Sequence, residues 1–151
     1  MAEYTEFVKE FAARTKSNLD FIKKAKTQQP IELYEFTQLV NSLFGLLIIP
    51  QQRERSRIND DFIDAAILTN LQKNITRNDY PCNDFAEILR HMRNALAHGA
   101  ITISASNGYI NAIEFADENP NDENKQFAII LTNHELLGFV YDFSSKLDAK
   151  L

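Results

Sequence analysis

The hydrophobic repeat of this chain changes at Gly99, and this change limits what the chain can fold into. Before Gly99 apolar residues recur every three or four positions, as on one face of a helix; after it they alternate with polar residues, as in strands. Such a pattern predicts a helical domain that carries a sheet near its C-terminal end. The 151 residues suit one domain, 1–151, with a single core.

Two amphipathic helices are predicted in the first third of the chain. The first is expected to close in the polar stretch 23–29, before Pro30. The second is predicted to begin near Ile31 and to stop at Pro50. The expected apolar positions of the first are Tyr4, Phe7, Val8, Phe11, Leu19 and Ile22. Those of the second are Leu33, Phe36, Leu39, Val40, Leu43, Phe44 and Leu47.

Two further helices are predicted between the polar loop 51–57 and Gly99. The third helix should span 60–73, and its buried positions are expected to be Phe62, Ile63, Ala66, Ile67 and Leu71. The fourth begins at Asp84 and Glu87, which have capping-box-like spacing, and Gly99 is suited to the position after its last turn. Its buried stripe is predicted to be Phe85, Ile88, Leu89, Met92 and Leu96.

The region after Gly99 predicts a hairpin, a third strand and a last helix. Two alternating segments flank Asn107-Gly108, a strong signal for a tight turn, and 127–131 follows as a strand. Thr132-x-x-Glu135 forms a capping box before a helix whose inward positions should be Leu136, Leu137, Val140 and Phe143. The predicted class is mainly α, a helical bundle with a small antiparallel sheet inserted before the last helix (α+β).

The charge and composition restrict the possible environments and partners. A net charge of −5 argues against a general nucleic-acid coat protein, and 101–151 holds eight acids against three bases. A basic cleft or an ordinary solvated surface are the two interpretations of Arg53, Arg55, Arg57, Arg77, Arg90 and Arg93. The longest apolar run, 43–49, is too short for a bilayer, and no signal-peptide stretch is present, so a cytoplasmic protein without a membrane partner is expected. The single cysteine, Cys82, precludes an internal disulfide and fits a reducing cytosol.

The fourth helix concentrates the chemistry-bearing side chains in 90–99, RHMRNALAHG. On a helical projection His91, Asn94 and His98 lie within roughly 60° of one another on a polar face, so the Asn94 amide could orient the His98 imidazole. Arg93 lies about 140° from His98. Bringing these two side chains to one small group requires the reach of arginine, a distorted helix end or a second copy of the helix.

His98 has two interpretations from the residues alone. The partial negative charge of a helix C-terminus favours a protonated histidine, which suits a proton donor or a phosphate partner, but a purely structural cap is also common there. The three histidines and one cysteine lack HxH or CxxC spacing, and no glycine-rich phosphate loop is present. No metal site and no cofactor are therefore predicted.

Residues 93–98, RNALAH, match the RxxxxH signature of the HEPN (higher eukaryotes and prokaryotes nucleotide-binding) superfamily. Together with YEFTQLVNSLFGLLIIPQQRE at 34–54 and FAEILRHMRNALAHG at 85–99, they resemble the plasmid-encoded HEPN subfamily over most of 18–115. The resemblance implies a homodimer in which the motif helices face each other. It also implies a metal-independent endoribonuclease, a toxin or antiphage effector, in which a ribose 2′-hydroxyl attacks the adjacent phosphorus.

The resemblance also implies roles for individual residues. His98 would be the general acid or base, Arg93 would bind the phosphate, and Asn94 would orient His98 or the phosphate. Arg90, His91, Arg53 and Arg55 are expected at most as accessory RNA contacts, and an antitoxin or regulatory protein is a possible partner. A non-catalytic HEPN dimer that binds nucleotides or RNA, and a plain helical interaction protein, are the competing hypotheses. The acidic loop 117–123 is a candidate gate.

Overall fold

The structure is a computed structural model that describes residues 6–28, 35–80 and 83–151. In these ranges the chain forms α1 (Phe7–Gln28), α2 (Glu35–Arg53), a 3₁₀ turn (Asp60–Phe62), α3 (Ala65–Lys73), β1 (Ile75–Asn78), α4 (Phe85–Ala97), β2 (Ile101–Ser106), β3 (Tyr109–Glu118), β4 (Gln126–Thr132) and α5 (Asn133–Lys150). The mainly helical α+β class is confirmed. The predictions at Tyr4, Pro30, Ile31, Leu33 and Cys82 lie outside the described residues.

The sheet is antiparallel, with the strand order β1-β4-β3-β2. The inward residues of β3 and β4 pair across the ladder and are fully buried, as in Ile113↔Leu131 and Phe115↔Ile129. The sequence did not predict β1, which precedes α4, so the sheet is not confined to the segment before the last helix. Its four residues, ITRN, contain a single apolar side chain, and they become a strand through pairing with β4, which lies far along the chain.

The predicted tight turn and the predicted capping box are both present. Asn107 and Gly108 have φ angles of 51° and 78°, and this pair of positive values is that of the tight turn joining β2 to β3. At the start of α5 the Thr132 hydroxyl accepts from the Glu135 N–H at 3.2 Å, and the Glu135 carboxylate accepts from the Thr132 N–H at 2.9 Å. Both signals depend on neighbouring residues alone, so they do not need the rest of the fold.

The predicted end of the first helix is confirmed, and the predicted end of the second is wrong. The helix α1 ends at Gln28, inside the polar stretch 23–29. Pro50 does not stop α2, which ends at Arg53. Proline removes only its own N–H donor; its carbonyl still accepts from the Glu54 N–H at 2.7 Å, so one more turn forms.

The predicted third helix, 60–73, is broken in two. Ile63 is extended, with φ −141° and ψ 150°, and α3 starts after Asp64, whose side chain accepts from the Ala66 N–H at 2.9 Å. This capping bond competes with continuation of a single helix. Phe62, Ile63 and Leu71 are buried as expected, but Ala66 is exposed because the break turns it away from the core.

The apolar surface of α2 is used mainly inside the protomer. Leu39, Leu43, Leu46 and Leu47 are buried in the core, whereas Phe44, which was expected to face inward, is 38% exposed. Phe44 follows Leu43 by about 100° around the helix, which turns its ring to the outer side. None of the described helices combines the length and apolar content needed to cross a lipid bilayer.

Gly45 lets α1 and α2 approach closely, because the Phe11 ring occupies the space that a Cβ at position 45 would fill. We expect Gly45→Ala to lower the free energy of unfolding by about 1–3 kcal/mol through overpacking. Gly138 lies in α5, and no atom lies near the position that a Cβ would take there. Gly138→Ala should therefore raise the free energy of unfolding by up to about 1 kcal/mol. Urea denaturation of both variants tests this difference. Equal stabilisation by the two alanines would show that the Phe11 ring moves aside at no cost.

Candidate functional site

The helix α4 is held at its N-terminus by two carboxylates. Asp84 accepts from the Glu87 N–H at 2.9 Å, as the predicted cap requires, and Asp60 accepts from the Phe85 N–H at 2.8 Å. The predicted apolar stripe is entirely buried, and α4 packs against β3 and α2. The helix is therefore fixed along its length, which fixes the directions of its polar side chains.

The C-terminus of α4 is a regular cap that leaves His98 exposed. Gly99, with φ 67°, donates to the Leu96 carbonyl at 3.1 Å and Ala100 donates to the Ala95 carbonyl at 2.8 Å, the two bonds of a Schellman motif. His98 itself keeps helical angles, φ −92° and ψ −1°. The helix end is consequently not distorted, so distortion does not bring Arg93 and His98 together.

Arg93 is instead directed by its neighbour Asn94. The guanidinium donates to Asn94 Oδ1 from Nε at 3.2 Å and from Nη2 at 2.6 Å. Asn94 lies one turn before His98 and only about 40° from it around the axis. The hydrogen bonds therefore draw the Arg93 guanidinium toward the face that carries His98. The Asn94 amide does not orient the imidazole as predicted, since its Nδ2 donates to Asp117 Oδ2 at 3.0 Å.

The helical projection places His91 on a polar face of α4, but the structure buries it. His91 is 1% exposed. Its Nδ1 is 2.7 Å from Asp117 Oδ2. The imidazole lies 4.3 Å from the Phe127 ring in a stacked arrangement and 4.4 Å from the Tyr80 ring, centroid to centroid. The sheet and the segment after β1 thus cover the imidazole. The buried His91 is therefore not accessible for the RNA contact that the sequence predicts.

The partners of His91 identify its protonation state. Arg90 Nη2 is 3.0 Å from His91 Nε2, and because a guanidinium has no acceptor, Nε2 must accept. The proton is then on Nδ1, which donates to Asp117. Burial lowers the pKa of His91 below its usual 6.5, and the nearby Arg90 charge lowers it further, while the Asp117 hydrogen bond opposes both. His91 is therefore neutral in the folded protein at neutral pH.

The other predicted arginines are placed differently from Arg93. Arg90 donates to Glu87 Oε2 from Nε at 3.0 Å and from Nη2 at 2.7 Å, so its charge is already paired. Arg53 lies over the Phe7 ring at 4.9 Å, and Arg55 is exposed just after the end of α2. Neither Arg53 nor Arg55 lines the cleft at His98.

A cleft of about 340 Å³ opens beside His98. Its other lining residues are Ala100, Ala116, Glu118, Asn119, Pro120, Glu123 and Gln126. The acidic segment 117–123 therefore borders this cleft, although 117–118 belong to β3 and not to a loop. The lining contains two carboxylates and no lysine or arginine, so this side of His98 favours cationic groups over phosphates.

Asp117 is the site residue that the sequence analysis did not identify. It is 6% exposed and lies at the end of β3, where it joins His91 to Asn94. An available signal was the alternation of Ile113, Phe115 and Asp117, which places this carboxylate on the buried face of the strand. Within the described ranges, no three His, Cys, Asp or Glu side chains are arranged to hold a metal ion.

The fold and the motif helix define a class of protein, one in which a helical domain presents RxxxxH at the end of a buried helix. The HEPN pEK499 p136 family matches residues 1–150, and the chain belongs to this family. Membership confirms the resemblance to the plasmid-encoded HEPN subfamily and supports a role related to nucleotides or RNA. HEPN domains commonly dimerise and bind RNA. No curated protein and no solved structure matches the chain.

The neutral His91 predicts a specific dependence of stability on pH. Its folded pKa is lower than its unfolded one, so the unfolded chain binds more protons as the pH falls through 6.5, and stability decreases there. We expect the free energy of unfolding to fall between about pH 7 and pH 5.5, and His91→Asn, which keeps a donor but does not titrate, to flatten this slope.

Denaturant titrations at several pH values measure that slope. His134→Asn, at an exposed histidine on α5, is the matched control and should retain the wild-type slope. An unchanged slope in His91→Asn would show that His91 is not the group that takes up the proton on unfolding.

Proposed function

We propose that the protein is a metal-independent endoribonuclease whose reacting groups are Arg93 and His98, with Asn94 between them. The observation that carries this proposal is the hydrogen-bonded Arg93–Asn94 pair, which brings the guanidinium to the face of α4 that ends in the exposed His98. A phosphate on this face meets a bidentate donor at one side and an imidazole about one helical turn away.

The chemistry follows from the properties of these groups. The ribose 2′-oxygen bonds to phosphorus, the bond from phosphorus to the 5′-oxygen breaks, and the products are a cyclic phosphate and a 5′-hydroxyl. One proton leaves the 2′-hydroxyl and one reaches the 5′-oxygen. His98 exchanges one of these protons, since imidazole titrates near neutrality, and Arg93 stabilises the negative charge that develops on the phosphate oxygens.

Cleavage of RNA in excess EDTA tests this function. We expect wild-type protein to cleave mixed RNA and His98→Ala to lose activity by about a hundredfold to ten-thousandfold, because it removes the proton-transfer group. Arg93→Lys should also be impaired, since an ammonium cannot replace the planar fork of donors. End-group analysis should find a cyclic phosphate and a 5′-hydroxyl.

His134→Ala is the matched control for the histidine variant, because His134 is exposed on α5 and does not line the His98 cleft. It should cleave RNA like the wild type. Full activity of folded His98→Ala protein in EDTA would contradict the proposed mechanism.

We propose further that the protein is a homodimer joined mainly through α2 and α4. The support is family membership and the exposed Phe44 ring on α2, since the rest of the apolar face is largely buried in the protomer. A role as a toxin or antiphage effector, controlled by an antitoxin or another regulatory protein, is the biological setting that the family resemblance suggests.

The dimer predicts different effects of two exposed phenylalanines. Phe44→Asp should shift the protein to monomer in sedimentation velocity at micromolar concentration, because it places a charge in the interface. Phe21, which is 72% exposed on α1, offers the matched control, and Phe21→Asp should leave the dimer intact. A monomeric wild type, or a dimer that tolerates Phe44→Asp, would contradict this interface.

A non-catalytic binding or regulatory module is the second candidate, and the lining of the His98 cleft favours it. Glu118 and Glu123 make the cleft attractive to a basic segment of a partner protein and unfavourable to a phosphate. If this candidate is correct, the wild type and His98→Ala behave alike in the EDTA assay.

A further inference from the structure

We propose that Asp117 is the positioning residue of the Arg93–His98 site, because it fixes the Asn94 amide that aims the Arg93 guanidinium. The inference rests on the proposed ribonuclease function and adds to it a residue outside the RxxxxH signature. Asp117 Oδ2 accepts from Asn94 Nδ2 at 3.0 Å and from His91 Nδ1 at 2.7 Å. One buried oxygen on β3 therefore sets the orientation of two side chains on α4.

The orientation of the Asn94 amide follows from what its neighbours can do. A carboxylate only accepts and a guanidinium only donates, so the amide satisfies both when Nδ2 faces Asp117 and Oδ1 faces Arg93. With the amide turned over, its oxygen would face the carboxylate and its NH₂ would face the guanidinium, and both contacts would be repulsive. Asp117 thus presents Asn94 Oδ1 as the acceptor for Arg93.

The carboxylate of Asp117 is itself held from behind. His91 donates to it while its ring is enclosed by Phe127 and Tyr80, and Arg90 fixes the far side of the imidazole. A buried imidazole with both nitrogens engaged has little freedom to rotate. The hydrogen bonds therefore run from the buried His91, through Asp117 and Asn94, to the half-buried Arg93.

The arrangement at Arg93 differs from that of an arginine whose charge is simply neutralised. Arg90 has a carboxylate directly on its guanidinium, whereas Arg93 binds a neutral amide and its other N–H groups have no partner among the described residues. Arg93 therefore keeps its full charge and part of its donor set for an anion. Pre-organising a long side chain in this way reduces the entropy lost when a phosphate binds in the transition state.

Asp117→Leu tests the positioning role, since it removes the acceptor at similar size. We expect kcat to fall by about tenfold to a hundredfold with KM changed by less than about threefold. Asp117→Asn keeps an acceptor oxygen and should restore most of the activity. Ile113→Val, which loosens the same strand without touching Arg93, should lower stability and leave kcat unchanged.

A second measurement observes Arg93 directly. The NMR signal of the Arg93 Nε–H, assigned with Arg93→Lys, should lose its hydrogen-bonded shift and slow exchange in Asp117→Leu but keep both in Asp117→Asn and Ile113→Val. If Asp117→Leu does not fold, Asp117→Ala removes the same acceptor with a smaller side chain, leaves Asn94 in place, and should have the same spectral effect.

The two measurements separate this inference from the proposed function. An inactive wild type would reject the ribonuclease while the Arg93 signal still decides whether Asp117 positions the guanidinium. An unchanged Arg93 signal in Asp117→Leu overturns the inference whatever happens to activity. A changed signal with unchanged kcat in an active enzyme overturns it as well, because the position of Arg93 would then not matter for cleavage.

Discussion

A buried hydrogen bond between His91 and Asp117 joins α4 to β3, and the polar part of the site depends on it. Burying an unpaired polar group costs roughly 2–7 kcal/mol, so each of these side chains requires the other. The same carboxylate oxygen accepts from Asn94, which accepts from Arg93. The sheet therefore positions the half-buried Arg93 guanidinium as well as covering the helix.

The surroundings of His91 explain why the imidazole is tolerated in the core. Phe127 and Tyr80 provide aromatic contact with the ring, and Asp117 and Arg90 satisfy its two nitrogens. Arg90 is in turn paired with Glu87, so its positive charge near the imidazole is compensated. Among the polar residues of RHMRNALAHG, His91 is thus buried with the half-buried Arg90 as its partner, Arg93 and Asn94 are half-buried, and His98 is exposed.

Features that depend on neighbouring residues could be predicted from the sequence, and features that depend on distant residues could not. The Asn107-Gly108 turn and the Thr132–Glu135 capping box need only a few adjacent positions, and both formed. The strand β1 needs β4 as a partner, so its own four residues did not predict it. Whether α2 continues past Pro50 likewise depends on the backbone hydrogen bonds of the next turn, and the presence of a proline does not determine whether these form.

The candidate site shows the same division. The spacing of Arg93, Asn94 and His98 was apparent from the motif, and family membership supports the resemblance on which it was interpreted. A helical projection gave the direction of His91 but not what packs against that side, because β3 and β4 come later in the chain. The role of Asp117 depends on the same packing, and it could be found only after the register of β3 placed its carboxylate against α4.

The protonation state of His91 is the most direct test of this account, and ¹⁵N NMR of the histidine side chains measures it. At neutral pH we expect a neutral imidazole with its proton on Nδ1, where it donates to Asp117, and none on Nε2, where Arg90 donates. A proton on Nε2 of the folded protein would contradict it, because Arg90 and His91 would then both be donors. The arrangement that joins Asp117 to Arg93 would have to be different.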